Sequence, residues 1–164
     1  MKSARRAPTA DDEAYDIHIS RDGTWFHEGT PIRRIELVKL FATVLRRDEK
    51  GEYWLITPAE RGRITVEDAP FTAVEMSVSG ADEDQVLRFR TNLDHEIEAG
   101  PEHPIRLAFE PDTGEPSPYI GVKDNLEALI VRPVYYDLAD LATEWNGRLG
   151  VWSKGTFFPL DQQP

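Results

Sequence analysis

The feature of this sequence that most constrains its fold is a series of short alternating segments bounded by turn-forming residues. From Pro70 onward, apolar and polar residues alternate in FTAVEMSVS and QVLRFRT, with the acidic loop GADED between them. A period of two residues is typical of half-buried β-strands. Strands outnumber helices and do not alternate with them, so the pattern predicts an α+β fold with mainly antiparallel sheets.

Turn residues divide the rest of the chain into further strands. The predicted strands are YDIHIS, TWFHE, EYWLIT, RITVED, HEIEA, PIRLAF, PYIGV, EALIV and a terminal hairpin formed by GVWSKG and TFFPL. Between the first two of these, Asp22-Gly23 is a two-residue turn signal. A turn there places His18 opposite His27, Ser20 opposite Trp25 and Ile19 beside Phe26.

Two segments have helical periodicity. Thr30 is a good N-cap, Pro31 suits the first helical position, and the apolar spacing that follows predicts a helix over residues 31–47. A second helix is predicted over residues 134–145, preceded by Pro133 and stopped by Asn146-Gly147. Each half of the chain therefore has one long predicted helix.

The charge is divided unevenly along the chain. The formal net charge is −11, yet residues 1–61 hold 11 Lys+Arg and 11 Asp+Glu, so all the excess acid lies in residues 62–164. With the change of pattern near residue 70, this predicts a disordered tail at 1–14, an N-terminal α+β lobe at 15–69 and a C-terminal lobe at 70–164.

Composition excludes several classes of function. The chain has no cysteine, so it forms no disulfide and has no thiolate nucleophile or cysteine zinc site. No apolar run is long enough to span a membrane, and the first residues lack the apolar region of a signal peptide, so the expected location is the cytoplasm. The acidic balance argues against a nucleic-acid partner. Common hydrolase and nucleotide-binding motifs are absent, which favours a non-enzyme without a cofactor.

One candidate metal site lies in the first hairpin. If His18 and His27 face each other, with Asp16 and Glu28 nearby, the four side chains have the chemistry to hold a divalent metal. Facing imidazoles on a half-exposed sheet are more often an ordinary cross-strand pair, so no metal is predicted.

Two acidic groups have both a functional and a structural interpretation. Asp82, Glu83 and Asp84 lack the alternating ligand spacing of a calcium loop and are predicted to form a solvated turn. Glu67 and Asp68 are candidate general acid–base residues, but adjacent strand residues point to opposite faces. A turn and a salt bridge are the more ordinary use of this pair.

Arg33 and Arg34 conflict with the predicted helix, because cations in the first helical turn oppose the helix dipole. Three outcomes are open: a salt bridge to the acidic second lobe, contact with an acidic ligand or partner, or simple solvation.

Eight runs occur in a fixed order along the chain: DGTWFHEGTPIRRIELVKLFATVLRR, YWLITPAE, ITVEDAPF, LRFRTN, GPEHPIRL, PYIGVKDNLEALI, YYDL and GVWSKGTFFPL. Together they resemble a bacterial family, domain of unknown function 1285, and the resemblance covers residues 15–161. It implies an α+β protein with two related lobes, a C-terminal lobe similar to a pleckstrin-homology fold, and binding or signalling at the interface between lobes. It implies no established biochemical activity.

Together these observations predict a cytoplasmic binding or signalling module whose ligand is an acidic small molecule or a protein segment. Its predicted site residues are Trp25, Arg33, Arg46, Glu67, Asp68, Asn92 and Arg132. Two alternatives are a hydrolase-type enzyme that uses Glu67 or Asp68, and a weak nucleic-acid binder that uses the helix at 31–47.

Overall fold

The computed structural model describes residues 13–162, which form mostly β-strands with two short helices. The chain divides into two compact units at Pro70 and Phe71. The N-terminal unit contains β1 (Glu13–Ile19), β2 (Trp25–His27), β3 (Thr30–Pro31), α1 (Ile35–Thr43), β4 (Leu45–Arg47), β5 (Tyr53–Ile56) and β6 (Arg61–Val66). The C-terminal unit contains β7 (Phe71–Ser79), β8 (Val86–Thr91), β9 (Glu96–Glu98), β10 (Ile105–Phe109), β11 (Pro116–Lys123), β12 (Leu126–Ile130), α2 (Arg132–Ala139), β13 (Thr143–Trp145), β14 (Arg148–Ser153) and β15 (Thr156–Pro159).

The N-terminal unit is built on a six-stranded sheet in the order β3-β2-β1-β6-β5-β4. All neighbouring strands are antiparallel except the central pair, β1 and β6, which run parallel. In the centre, Ile19 pairs with Trp25 on one side and with Val66 on the other. Ile19, Trp25, Leu45 and Trp54 are almost fully buried, so this sheet and α1 enclose the core of the unit.

The C-terminal unit repeats this plan with the order β10-β11-β12-β7-β8-β9. Its central pair, β12 and β7, is again the parallel one, and Ile130 pairs there with Ala73. Each sheet therefore consists of two antiparallel three-stranded meanders joined by one parallel pair. The crossover between meanders contains α1 in the N-terminal unit, whereas in the C-terminal unit it has no helix and α2 follows β12.

A small third sheet, β13-β14-β15, extends the C-terminal unit. Its attachment depends on Ser153, which is fully buried. The Ser153 hydroxyl donates to the carbonyl of Ala99 at 2.7 Å and accepts from the Leu87 amide at 2.9 Å. The Gln85 side-chain amide adds a hydrogen bond to the Trp152 carbonyl at 3.0 Å, so these groups join β14 to the larger sheet.

The predicted strands are confirmed, but both helices are shorter than predicted. The helix predicted at 31–47 is restricted to Ile35–Thr43, because its two ends pair with other strands. Thr30 and Pro31 pair with β2, and residues 45–47 pair with β5. Prediction of one long helix in each lobe is therefore wrong.

The second predicted helix, at 134–145, ends at Ala139. Residues 143–145 instead form β13, because Asn146 and Gly147 adopt φ values of 53° and 76° and turn the chain back into β14. Positive φ at both central positions is the geometry of a tight hairpin turn, which outweighs the helical spacing of the preceding residues.

The first hairpin differs from prediction by one residue in register. His18 pairs with Phe26, and His27 pairs with Ile17, so the two histidines lie on opposite faces and the predicted pair is wrong. The loop is longer than a two-residue turn because Asp22 accepts a hydrogen bond from the Thr24 amide, and the Ser20 amide bonds to the Thr24 carbonyl.

The predicted disordered tail also needs a correction. Its last two residues, Glu13 and Ala14, begin β1, because they pair with Gly62 and Arg63 of β6. The rest of that tail, residues 1–12, lies outside the described residues.

Candidate functional site

Trp25, the first predicted site residue, is a core residue. Its side chain is 1% exposed, and its ring stacks on Phe41 with centroids 6.0 Å apart. Among residues 13–162, no acceptor lies within hydrogen-bond distance of its buried indole N–H. Trp25 thus contributes apolar burial to the N-terminal unit.

The two predicted arginines of this unit have different environments. Arg33 lies just before α1, is exposed, and forms no ion pair within residues 13–162. Arg46 is on the edge strand β4 and donates to the carbonyls of Leu45 at 2.8 Å and Thr43 at 3.2 Å. Arg46 therefore satisfies carbonyl groups at and just beyond the end of α1. Three strands separate it from Trp25 in the sheet order.

Glu67 and Asp68 are brought together by a common partner, Arg21. The Arg21 backbone amide donates to Glu67 at 3.2 Å, and its guanidinium forms an ion pair with Asp68 at 2.7 Å. These contacts tie the β1–β2 loop to the segment after β6. The structural interpretation of this acidic pair, a turn with a salt bridge, describes the observed geometry.

The two predicted residues of the C-terminal unit serve separate local contacts. The side-chain oxygen of Asn92 accepts a hydrogen bond from the Thr72 backbone amide at 3.0 Å. The Asn92 backbone amide donates to the Thr72 carbonyl at 2.9 Å, and the two bonds fix the turn after β8. Arg132 begins α2, is 69% exposed, and lies 3.4 Å from Glu115. Within either unit, the predicted residues do not form one cluster.

A cleft that was not predicted from the sequence lies in the N-terminal unit, between β1, α1 and β5. It has a volume of about 360 Å³. The apolar residues that line it are Tyr15, Ile17, Phe41, Val44 and Leu55. The Tyr15 ring covers Gly62 so closely that a Cβ there would stand 2.3 Å from ring atoms, so the wall of the cleft depends on that glycine.

The rim of this cleft is acidic. It is lined by Asp16, His27, Glu28, Thr57 and Glu60, with no lysine or arginine among the lining residues. Within residues 13–162, none of the three carboxylates forms an ion pair with a lysine or arginine; the Glu28 carboxylate lies 3.7 Å from the His27 imidazole.

Hydrogen bonds fix the backbone of the residues that carry the rim carboxylates. Glu28 has a φ of 53°, in the tight turn between β2 and β3, and its amide donates to the Asp16 carbonyl at 2.9 Å. Thr57 and Glu60 close a second turn through a 2.9 Å backbone bond and the Thr57 hydroxyl. Both turns place residues with carboxylate side chains beside the apolar walls.

A second cleft, of about 470 Å³, lies on the C-terminal unit beside β7, β8 and the start of α2. Its arginines are already paired. Arg90 binds Glu75 at 2.9 Å and Asp94 at 3.1 Å, while Arg88 binds Glu98 at 2.8 Å. The hydrogen bond from Arg90 lowers the pKa of Glu75. These charges neutralise one another, which makes this cleft the weaker candidate.

The described residues contain neither a metal-binding cluster nor a membrane-spanning helix. In the part of the chain that the structure describes, no group of three or more histidine, aspartate or glutamate side chains could hold a metal ion. Neither described helix has the length and apolar character that crossing a membrane requires.

Comparison with known families and structures gives consistent matches. A model of the DUF1285 N-terminal domain, a domain of unknown function, matches residues 7–69, and the C-terminal domain model of the same family matches residues 70–160. A crystal structure of a DUF1285 family protein from Silicibacter pomeroyi DSS-3 is 48% identical, with a TM-score of 0.85. The match covers 90% of this chain and 80% of that one.

A second crystal structure, of a DUF1285 family protein from Shewanella baltica OS155, is 26% identical with a TM-score of 0.59. This match covers 77% of the present chain and 91% of the other. No curated protein matches the sequence.

Proposed function

Because the chain belongs to the DUF1285 family, whose domains are described as of unknown function, we propose a function from its own geometry. The protein is a binding module, and the cleft of its N-terminal unit takes a ligand with an apolar body and a positively charged group. The observation that carries this proposal is the set of three carboxylates around apolar walls, none of which forms an ion pair with a lysine or arginine within residues 13–162.

The shape and chemistry of the cleft support a small ligand. Its volume of about 360 Å³ lies in the range typical of ligand pockets, which combine apolar walls with a few placed polar groups. Tyr15, Phe41 and Leu55 offer surface to an aliphatic or aromatic body. Asp16, Glu28 and Glu60 favour a cation at the rim.

Carboxyl pKa values support binding over hydrolysis. A carboxyl group that acts as a general acid near neutral pH needs a raised pKa. Among the described residues, the shifted carboxyl pKa values are all lowered: Asp22, Asp48, Glu75, Glu98 and Asp161. Glu67 and Asp68, the residues of the enzyme alternative, are engaged with Arg21.

The proposal can be tested with phenethylamine as the probe and phenylacetate as the matched anion, in NMR titrations of the labelled protein. Phenethylamine should shift resonances of Ile17, Val44 and Leu55 more strongly than phenylacetate does. Glu28→Gln and Glu60→Gln should each weaken this binding by up to about fivefold, which is typical of one exposed ion pair. Glu144→Gln, in the C-terminal unit, is the control and should change nothing.

The same titration tests the opposite charge preference predicted from the sequence. Arg33 is exposed and forms no ion pair in the described part of the chain, so it is available to an acidic group. Phenylacetate binding that Arg33→Glu abolishes would support an acidic ligand. Equal shifts with both probes, or none at the cleft, would exclude the proposed cationic ligand.

Two further features of the family resemblance stay proposals. The two meanders of the C-terminal unit, joined through β12 and β7 with α2 directly after β12, have the parts of a helix-capped, partly open barrel of the pleckstrin-homology type. The shared sheet plan of the two units supports an origin by duplication. Superposition of an experimental structure of each unit on the other, and on pleckstrin-homology domains, tests both proposals.

A further inference from the structure

The acidic residues of the N-terminal cleft lie on different strands. Asp16 and Glu28 are neighbours, because the Glu28 amide donates to the Asp16 carbonyl at 2.9 Å. Glu60 lies on the other side of β1, at the start of β6. There the Thr57 amide donates to the Glu60 carbonyl at 2.9 Å and continues the pairing of β5 with β6 by one residue. The rim therefore has a pair of acidic residues in one place and a third in another.

The strand register gives the separation between these two places. The residues two before and two after Asp16 pair with Arg63 and Thr65 of β6, so Asp16 is about level with Ile64. Ile64 is four residues beyond Glu60 in the sequence. At about 3.3 Å per residue, the backbone positions of Asp16 and Glu60 are about 13 Å apart along the strands. The cleft thus has two acidic ends.

The middle of the cleft is apolar. Leu55 pairs with Gly62, which is halfway between the levels of the two acidic ends. The Tyr15 ring covers the same glycine, since a Cβ at Gly62 would stand 2.3 Å from ring atoms. Phe41, near the end of α1, adds to the apolar lining. An apolar stretch therefore lies between one acidic end and the other.

Separated charges distinguish this cleft from a site for a single small ion. Within residues 13–162, no three histidine, aspartate or glutamate side chains could hold one metal ion. None of the three rim carboxylates forms an ion pair with a lysine or arginine in the same part of the chain. One small cation can pair at one end only, whereas a ligand with a cation at each end can pair at both.

Building on the cationic ligand proposed above, we infer that the cleft binds a linear diamine or polyamine, in which an aliphatic chain joins terminal ammonium groups. One ammonium group pairs at the Asp16 and Glu28 end, and the other pairs at Glu60. The methylene chain packs on Tyr15 and Leu55, which lie between the two ends. A monoamine pairs at one end only, so the number of amino groups and the distance between them determine the affinity.

The probe is octanediamine with an amino group at each end, and octylamine is the matched monoamine. Each is titrated into the labelled full chain and followed by NMR at Ile17, Val44 and Leu55. Octanediamine should bind about twofold to fivefold more tightly than octylamine, because it adds one exposed ion pair. Butanediamine is too short to reach both ends. Lengthening the diamine from butane to octane should therefore raise the affinity more than the same lengthening of the monoamine does.

Variants at the end with a single carboxylate test the second ion pair. Glu60→Gln should reduce the affinity for octanediamine to about that for octylamine. Glu60→Asp keeps the charge and should retain most of the preference for the diamine. Glu49→Gln is the matched control, because Glu49 is exposed in the β4–β5 turn and does not line the cleft. It removes the same charge and should leave the preference unchanged.

Failure of the diamine as ligand and failure of the proposed function give different results. If phenethylamine and octylamine bind at the cleft but octanediamine binds no more tightly, the ligand is a monovalent cation and the diamine is excluded. A preference for octanediamine that survives in Glu60→Gln, or equal gains from lengthening the diamine and the monoamine, would also exclude it. If no amine shifts the resonances of the cleft, the proposed cationic ligand is itself excluded.

Discussion

The two units share one strand plan but place their helices differently. In both, two antiparallel meanders meet at a central parallel pair, β1 with β6 and β12 with β7. In the N-terminal unit, α1 lies within the crossover and contributes Phe41 and Val44 to an apolar cleft. In the C-terminal unit, α2 follows the last strand of the sheet and leads into the third sheet. Two units with the same sheet plan therefore differ in the helices and strands added around it.

The largest loss of stability should come from disrupting the central parallel strand pair of either sheet. Ile19 is fully buried beside Val66, and Ile130 is 2% exposed beside Ala73. Ile19→Ala and Ile130→Ala should each reduce the free energy of unfolding by about 2–5 kcal/mol, through lost burial and the cavity left behind. Urea denaturation measures both. If one substitution costs less than about 1 kcal/mol, the two central strand pairs do not contribute equally to the stability of their sheets.

A smaller loss of stability should follow from weakening the attachment of the third sheet in the C-terminal unit. Ser153→Ala leaves the buried Leu87 amide without its acceptor and removes the hydrogen bond to Ala99. An unsatisfied buried donor costs about 1–3 kcal/mol, which thermal or urea unfolding would detect. Ser77→Ala, at an exposed serine of β7, is the control. Equal stability of the two variants would contradict this account of the attachment.

The loss of stability at acid pH should depend on a different carboxylate in each unit, Asp48 in the N-terminal unit and Asp161 in the C-terminal unit. Burial raises the pKa of Asp48, but hydrogen bonds from Trp54 and from the backbone amides of Glu52 and Lys50 outweigh it and hold the pKa below 3.8. The folded state therefore gains stability above that value and loses it as the pH falls through the lowered pKa. Asp48→Ala should cost about 1 kcal/mol near neutral pH.

The matching measurement is the free energy of unfolding as a function of pH. Asp48→Asn should flatten the loss of stability below pH 3.8. Asp161 is the counterpart in the C-terminal unit, where a hydrogen bond from the Leu149 amide lowers the pKa of its carboxyl. If neither Asp48→Asn nor Asp161→Asn changes the loss of stability at acid pH, other groups control the pH dependence.

The smallest losses of stability should come from replacing the arginines that stack on aromatic rings. Arg63 lies 4.9 Å from the centroid of the Trp54 ring, and Arg106 lies 4.5 Å from that of Tyr119. Arg63→Gln should cost about 0.5 kcal/mol. Arg106→Gln should cost up to about 1 kcal/mol, because Arg106 also binds Glu127 through two hydrogen bonds. Lys123→Gln, at an exposed lysine, is the control, and a larger loss at Arg63 would reverse the expected order.

Local patterns predicted the strands well because each strand has its own alternation and turn residues. The predicted helix ends are wrong because pairing with distant residues, and not a local pattern, determines where each helix ends. Residues 45–47 fit both a helix and a strand, and pairing with residues 53–55 decides between them. Likewise, Asp22-Gly23 correctly marked a turn, but side-chain hydrogen bonds within the loop set its length and so the register.

The candidate cleft could not be predicted, because it depends on contacts between distant segments. The sequence groups His18, His27, Asp16 and Glu28 as a candidate metal site that it does not favour. The position of Asp16, His27 and Glu28 beside Phe41 and Leu55 follows instead from the sheet order and from α1. No local signal marks the parallel β1–β6 pair that sets this order.

The central parallel pairs also affect the order in which the chain can fold during synthesis. Ile19 pairs with Val66, and Phe71 pairs with Ala128, so each sheet joins its first strand to its last. The meanders contain only local contacts and can form early, whereas central pairing must wait for the end of each unit and carries the entropy of closing a long loop. While the chain emerges from the ribosome, β1 and then β7 each have one edge without a partner, and that interval is when chaperone protection matters most.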